Sequence, residues 1–159
     1  MLYDMLKICV SISFNLLNLL FGGKLPPFGS AAVIVQEKDR YLMIELPHKR
    51  IAFPGGFMNW RENPQQAAER EGKEETGLDL KVDGLIGFYS CASTNWLHMS
   101  NVSFVYQAHV ASGQLRNNKE GRPFWIAEEE LRRRLDKHTL GIFNDFLRYS
   151  ERQKSSCTI

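Results

Sequence analysis

Acidic side chains recur at fixed spacing in the segment GGFMNWRENPQQAAEREGKEETGL, which runs from Gly55 to Leu78. Glu71, Glu74 and Glu75 fall at positions i, i+3 and i+4, so on a helix their carboxylates project from one face. Three like charges on one face repel one another and stabilise a helix poorly. Carboxylate oxygens are, however, the ligands that Mg²⁺ prefers, together with water and substrate phosphate. The pattern therefore indicates a site for a hard divalent cation.

Residues at both ends of the acidic segment predict how it is held. Asn63 and Pro64 are typical of the N-cap and first residue of a helix, and Gly77 is typical of the residue just past its end. The pair Gly55-Gly56 lets the backbone turn tightly and approach a ligand closely. The segment thus predicts a glycine turn, a polar loop and one short helix that carries the carboxylates.

Arg70 lies one turn before Glu74 and next to Glu71. Glu62 in the preceding loop is a second candidate partner for its guanidinium. We expect Arg70 to pair with Glu62 or Glu74 and to orient the glutamates, and we do not expect it to touch a substrate.

The spacing of eight residues resembles the Nudix box, G-x5-E-x7-R-E-U-x-E-E-x-G-U, where U is aliphatic: Gly56, Glu62, Arg70, Glu71, Glu74, Glu75, Gly77 and Leu78. One position departs, because Gly72 stands where the box has an aliphatic residue. A glycine inside a helix costs about 1 kcal/mol relative to alanine, so the departure concerns the rigidity of the helix and leaves the acidic residues intact. A solvated acidic helix face would explain the glutamates but not the flanking glycines and Glu62.

The resemblance implies a hydrolase that cleaves the pyrophosphate bond of a nucleoside diphosphate linked to another moiety, such as a nucleotide or nucleotide sugar. It implies Mg²⁺, with Mn²⁺ as the alternative, held by Glu71, Glu74 and Glu75 and by a backbone carbonyl of Gly55 or Gly56. One carboxylate could instead act as general base. Glu120 in a later loop is a second candidate for that role, and Glu128 ranks after it. A Nudix-fold module that binds a nucleotide without cleaving it is the alternative, and the complete acidic set favours the enzyme.

Three residues outside the acidic segment are predicted to contact the substrate. Arg50 in a basic loop could meet a phosphate, while Phe53 and Trp96 could stack on a base. Family members specific for ADP-ribose or dinucleoside polyphosphates carry a proline or tyrosine beyond the box. Ser93 and Thr94 stand about there, so the sequence favours neither subgroup.

Polar residues draw one narrow stripe through an otherwise apolar stretch at residues 2–21: Asp4, Lys7, Ser11, Asn15 and Asn18. Steps of three and four residues predict an amphipathic helix. The uncharged part is short for a membrane span, and no cleavage site of a signal peptide follows it. We favour a helix packed against the domain or against a second subunit of a homodimer, and peripheral attachment to a membrane is the alternative.

The remaining pattern mixes strands and helices without a βαβ repeat. Strands are predicted at 31–36, 41–46, 51–53, 80–91, 102–110 and 123–127, and helices near 128–135 and 140–149. This order predicts an α+β fold or a sheet between helices, and the resemblance implies a Nudix-type α/β/α sandwich with a mixed central sheet. Residues 1–24 would form the extra helix and linker, 25–150 the domain, and 151–159 a flexible tail.

Composition excludes some classes of protein. With 43% hydrophobic and 24% charged residues, the chain of 159 residues is typical of one globular domain and not of a disordered chain. A net charge of +2 gives no indication of nucleic-acid binding. The cysteines Cys9, Cys91 and Cys157 have neither metal-ligand nor redox spacing, which favours a reducing cytoplasm.

Overall fold

The computed structural model describes residues 2–117 and 121–156. In this part of the chain the elements are, in order, α1 (Leu2–Leu20), β1 (Phe28–Glu37), β2 (Arg40–Glu45), a 3-10 turn (Pro47–Lys49), β3 (Ile51–Ala52), β4 (Gly55–Phe57), α2 (Pro64–Thr76), β5 (Leu78–Cys91), β6 (Asn101–Gly113), β7 (Arg122–Ala127), α3 (Glu128–Arg134) and α4 (Lys137–Ser156).

Strand β1 is the centre of the sheet, whose order is β3-β2-β1-β6-β5, with β4 paired to β1 and β7 paired to β2. Strands β1 and β6 are parallel, and Ser30 pairs with Ser103 in their register. The short β4 runs antiparallel to β1 and places Gly56 opposite Ala31. This arrangement brings the glycine pair next to the N-terminal ends of the two central strands.

Both faces of the sheet are buried. Ile34 of β1 and Val105 of β6 pack with Phe143 and Phe146 of α4 on one face. Val33 of β1 belongs to a second core cluster, on the face covered by α2. The alternation of neighbouring β1 residues between the two clusters follows from the period of two in a strand. The α+β fold and the α/β/α sandwich with a mixed sheet are therefore confirmed.

Two elements differ from the sequence prediction. The Gly55-Gly56 pair was expected to form a turn, yet it forms strand β4, because its backbone pairs with β1. Helix α4 continues to Ser156, so residues 151–156 are helical and not an irregular tail. Residues 157–159, including Cys157, lie outside the described residues.

The predicted N-terminal helix is present, and part of its polar stripe faces the domain. Ser11 in the polar stripe is buried, and Asn15 donates hydrogen bonds to the carbonyls of Trp96 and His98 at 3.1 and 3.0 Å. Asn18 accepts a hydrogen bond from the Leu25 amide. Phe14 packs on Phe28 of β1, whereas many other apolar side chains of α1 are exposed. Helix α1 thus contacts the domain, and its packing against a second subunit stays a prediction. Among the described helices none is long and apolar enough to cross a membrane.

Candidate functional site

Helix α2 carries the acidic residues and is fixed at both ends as predicted. The Asn63 side chain accepts a hydrogen bond from the Gln66 amide at 2.9 Å, and the Gln66 side chain accepts one from the Asn63 amide at 3.0 Å. This capping box satisfies two amides that would otherwise lack partners. Gly77 ends the helix in the left-handed conformation with φ of 78°, which glycine adopts without a steric penalty.

Gly72 does not interrupt α2, because a side chain from the sheet fills the space beside it. A Cβ at residue 72 would lie 2.7 Å from the Leu80 Cδ1 atom. Leu80 of β5 is 2% exposed and belongs to the core beneath the helix. Leu80 therefore occupies the volume that the usual aliphatic residue of the box would need.

Arg70 is the centre of a cluster of four charged side chains. Its guanidinium holds both oxygens of Glu62, with Nε–Oε1 and Nη2–Oε2 distances of 2.6 and 2.9 Å. The Nη1 atom donates to Glu71 at 2.8 Å and to Glu74 at 3.0 Å. Nη2 also donates to the Phe57 carbonyl, which ties α2 to the end of β4. The expected pairing of Arg70 with Glu62 or Glu74 thus involves both residues and Glu71 as well.

Backbone atoms of β4 contact two of the acidic side chains of α2, Glu75 and Glu71. The Gly55 amide donates to Glu75 Oε2 at 2.8 Å, and Glu75 is only 8% exposed. A Cβ at Gly56 would lie 2.6 Å from Glu71 Oε2, so the carboxylate rests directly on the glycine backbone. The close approach explains why residue 56 has no side chain.

The hydrogen bonds that Glu62 accepts lower the pKa of its carboxyl group. The hydrogen bond from the Arg70 side chain, followed by one from the Asn59 backbone, lowers the pKa of Glu62 to about 2. The same contact with Glu62 raises the pKa of Arg70. Glu62 therefore stays ionised throughout the physiological pH range and keeps the guanidinium in place.

A cavity of about 210 Å³ opens beside β4, lined in part by Gly55, Gly56 and Phe57. Ser30 of β1 and Asn101 and Ser103 of β6 also line it. Nothing in the sequence predicted that these three polar residues would meet. No motif contains them, and they meet because β1 and β6 pair in parallel across about 70 intervening residues.

The carboxylate oxygens of α2 are the atoms that could bind a divalent cation. Glu71 and Glu74 each place an oxygen on the same Arg70 nitrogen, and Gly56 leaves room for the Glu71 carboxylate against the backbone. Within residues 2–117 and 121–156, no three acidic, histidine or cysteine side chains converge in a metal-ligating arrangement. The donor types fit Mg²⁺, and the Glu74 side chain, at 59% exposure, has room to turn.

Phe53 does not belong to the site. Its side chain is 8% exposed, and its ring stacks on Phe143 of α4 with the centroids 6.4 Å apart. The expectation that Phe53 stacks on a base is wrong, because residue 53 lies in the core between the sheet and α4.

Two of the other predicted substrate and base residues, Arg50 and Trp96, lie in loops among the described residues. Arg50 is exposed in the loop before β3. Strand β3 pairs with β2, which also pairs with β7. Trp96 is 55% exposed in the loop held by Asn15, where it lines a second cavity of about 310 Å³ with residues of α1. Glu120 lies outside the described residues.

Comparison with known proteins identifies the family. The family model described as NUDIX domain matches residues 26–146. A MutT-like protein of Streptomyces ambofaciens is 30% identical over 115 residues, which are 69% of this chain and 71% of that protein. An ADP-ribose pyrophosphatase of Methanocaldococcus jannaschii is 32% identical over 94 residues, covering 56% of this chain but only 54% of that protein.

Solved structures agree in fold. A NUDIX hydrolase from Nitrosomonas europaea superimposes with a TM-score of 0.68 at 22% identity, covering 76% of this chain and 88% of that one. The family match covers most of the chain, and it includes the glycine pair of β4 and the acidic helix α2. This chain belongs to the NUDIX domain family, as its motif predicted.

Proposed function

We propose that this chain hydrolyses the pyrophosphate bond of a nucleoside diphosphate linked to another moiety, with Mg²⁺ or Mn²⁺ as its cofactor. The observation that carries the proposal is the group of Glu71 and Glu74 around Arg70, next to the Gly55-Gly56 strand and its cavity. Membership of the family supports hydrolysis. The name of the archaeal relative, ADP-ribose pyrophosphatase, supports a substrate of this class.

We assign cation binding to Glu71, Glu74 and Glu75 on α2, with a carbonyl of the Gly55-Gly56 strand as a further ligand. A bound divalent cation would neutralise the pyrophosphate, polarise its phosphorus atoms and lower the pKa of a bound water. Arg70 positions the carboxylates through its shared Nη1 atom. One of these carboxylates or Glu120 would accept the proton of the attacking water.

We assign substrate contacts first to the cavity beside β4. Ser30, Asn101 and Ser103 offer hydroxyl and amide groups there, which can donate to phosphate oxygens and to sugar hydroxyls. Arg50 and Trp96 remain candidates for the outer part of the substrate, since both are exposed. The exposed free thiols of Cys9 and Cys91 support a reducing compartment such as the cytoplasm as the place of the reaction.

The proposal is tested with ADP-ribose, a nucleotide sugar and a nucleoside triphosphate, with and without Mg²⁺. Phosphate release is coupled to a phosphomonoesterase for the first two substrates and to an inorganic pyrophosphatase for the third. We expect turnover of at least one substrate that depends on Mg²⁺. Glu75→Gln should lower this turnover a hundredfold or more, or about 3 kcal/mol of lost electrostatic stabilisation. The glutamine oxygen can still accept the hydrogen bond from Gly55, so the fold should be retained.

Glu129→Gln is the matched control, because the Glu129 side chain is 86% exposed on α3. It should leave turnover unchanged. Tight binding of a nucleotide without any cleavage would instead identify a sensor module, and wild-type rates in Glu75→Gln would remove Glu75 from the cation site.

A further inference from the structure

Helix α1 turns its apolar side away from the protein. Nine large apolar side chains between Met5 and Phe21 are each 40–76% exposed. The largest apolar patch on a typical monomer covers about 300–600 Å², and surface hydrophobic residues are otherwise scattered singly. Eight of them lie on α1 and Phe21 directly follows its last residue, so the helix and its end present one broad apolar surface that can bind a partner.

The width of this apolar surface argues against a second copy of the chain as its partner. At about 100° per residue, the exposed apolar side chains span an arc of about 220°, and Ser11, Asn15 and Asn18 fall within about 60° on the protein side. A partner helix would cover a stripe of about 100° or less. Two such helices packed together would leave much of each apolar surface in water.

A bilayer interface fits the same arc. A helix lying in that interface sinks about 5–10 Å into the boundary between headgroups and acyl chains, and an α-helix with its side chains is about 10–12 Å across. Lipid could therefore surround α1 on every side except one. That remaining side is the polar stripe, which the domain already covers through Asn15 and Asn18.

The surroundings of the apolar surface carry a small positive charge and an exposed tryptophan. From residue 2 to residue 24 the charged residues are Asp4, Lys7 and Lys24, two positive and one negative, and the loop at residues 92–101 contains no acidic residue. Trp96 and Leu97, which are 55% and 48% exposed, lie in the loop that Asn15 holds against α1. Tryptophan is enriched at membrane interfaces, and lysine attracts anionic headgroups.

We propose that the outward surface of α1, from Met5 to Phe21, docks onto the interface of an anionic lipid bilayer. The docked helix lies along the bilayer surface, with the Nudix domain above it. Phe14 of α1 packs on Phe28, the first residue of β1, which pairs with Asn101, the first residue of β6. The cavity lined by Ser30 and Asn101 therefore lies at the end of the sheet nearest α1. The docking does not depend on the proposed hydrolysis.

The test is co-sedimentation of the full chain with vesicles of two parts phosphatidylcholine and one part phosphatidylglycerol. Leu16→Glu combined with Leu20→Glu places charges on the outward surface, at side chains that are 55% and 76% exposed. Leu115→Glu makes the same change at a leucine 38% exposed in the loop after β6 and serves as the matched control. We expect the wild type and the control to bind, and the double variant to bind about tenfold less or worse.

Circular dichroism and Tm confirm that each variant is folded, and light scattering gives its oligomeric state. Absence of vesicle binding by the wild type, or equal binding by the folded double variant, would overturn the proposal. A wild-type dimer that the double variant dissolves, without vesicle binding by either, would assign the surface to a second copy of the chain.

Discussion

At residue 56 the space that a side chain would need is taken by the Glu71 carboxylate. We predict that Gly56→Ala lowers turnover by about a hundredfold, because displacement of a reacting group by about 1 Å can cost that much. The displaced group is the mobile end of a side chain, so Tm should change little. Steady-state kinetics and thermal unfolding of the same sample separate the two effects. A large fall in Tm would show that residue 56 serves the fold and not the site.

The ion pair of Glu62 and Arg70 makes stability depend on pH. The folded-state pKa of Glu62, about 2, lies below the ordinary value of 4.5. Its contribution to the free energy of unfolding is therefore complete above about pH 4.5 and is lost as the pH falls towards 2. We predict that Glu62→Gln is less stable than the wild type at pH 6 and that the difference shrinks on acidification.

Urea unfolding of both proteins between pH 6 and pH 2.5 measures this difference, and other groups that titrate in both proteins cancel. A difference that stays constant across this range would show that Glu62 acts through packing alone.

The motif spacing predicted the residues of the cluster but not the position of every partner. Glu62, Arg70 and Glu74 meet because a short capped helix and its preceding loop fix their distances locally. Phe53 was placed wrongly for the opposite reason. Its environment is set by Phe143 on α4, which lies 90 residues further along the chain, and a single sequence carries no signal for that contact.

Two helices each contain an internal glycine, and the space around these two glycines differs. A Cβ at Gly141 in α4 would meet no atom within 4 Å, whereas one at Gly72 in α2 would meet Leu80. We predict that Gly141→Ala raises the free energy of unfolding by about 1 kcal/mol, the difference in helix propensity. Gly72→Ala should gain less or destabilise, since Leu80 must move within a packed core.

Chemical denaturation of the two single variants measures this contrast. Equal stabilisation by both would mean that Leu80 does not fill the space beside α2. The sequence revealed Gly72 as a departure from the box, but not that β5 compensates for it. That compensation depends on the position of Leu80 in β5 relative to α2, which packs on this strand.

At the scale of the whole molecule, α1 is joined to the domain mainly through polar contacts. We predict that Asn15→Ala increases hydrogen exchange of the α1 amides while the Tm of the domain stays unchanged. The variant removes two hydrogen bonds, each of which contributes about 0.5–1.5 kcal/mol. Hydrogen exchange measured by mass spectrometry on peptides from 2–20 follows this, and Ser13→Ala on the exposed side is the control. Unchanged exchange would mean that Phe14, whose ring packs on Phe28, is sufficient to hold the helix.

The polar stripe predicted helix α1, but the sequence did not predict that this stripe faces the domain. An apolar helix beside a domain is expected to turn its apolar side inward, but here the loop at residues 93–98 offers carbonyl groups in place of a hydrophobic groove. Which side of an amphipathic helix meets the domain depends on the surface offered to it, and that surface forms only in the folded chain.

The parallel pairing of Ser30 with Ser103 has a consequence for synthesis of the protein. Contacts between residues far apart in sequence form late and slowly in folding, because the intervening chain must first be closed into a loop. A ribosome that has released the acidic helix has therefore not yet released one wall of the cavity beside it. The nascent chain acquires its carboxylates tens of residues before the β6 residues that complete this cavity.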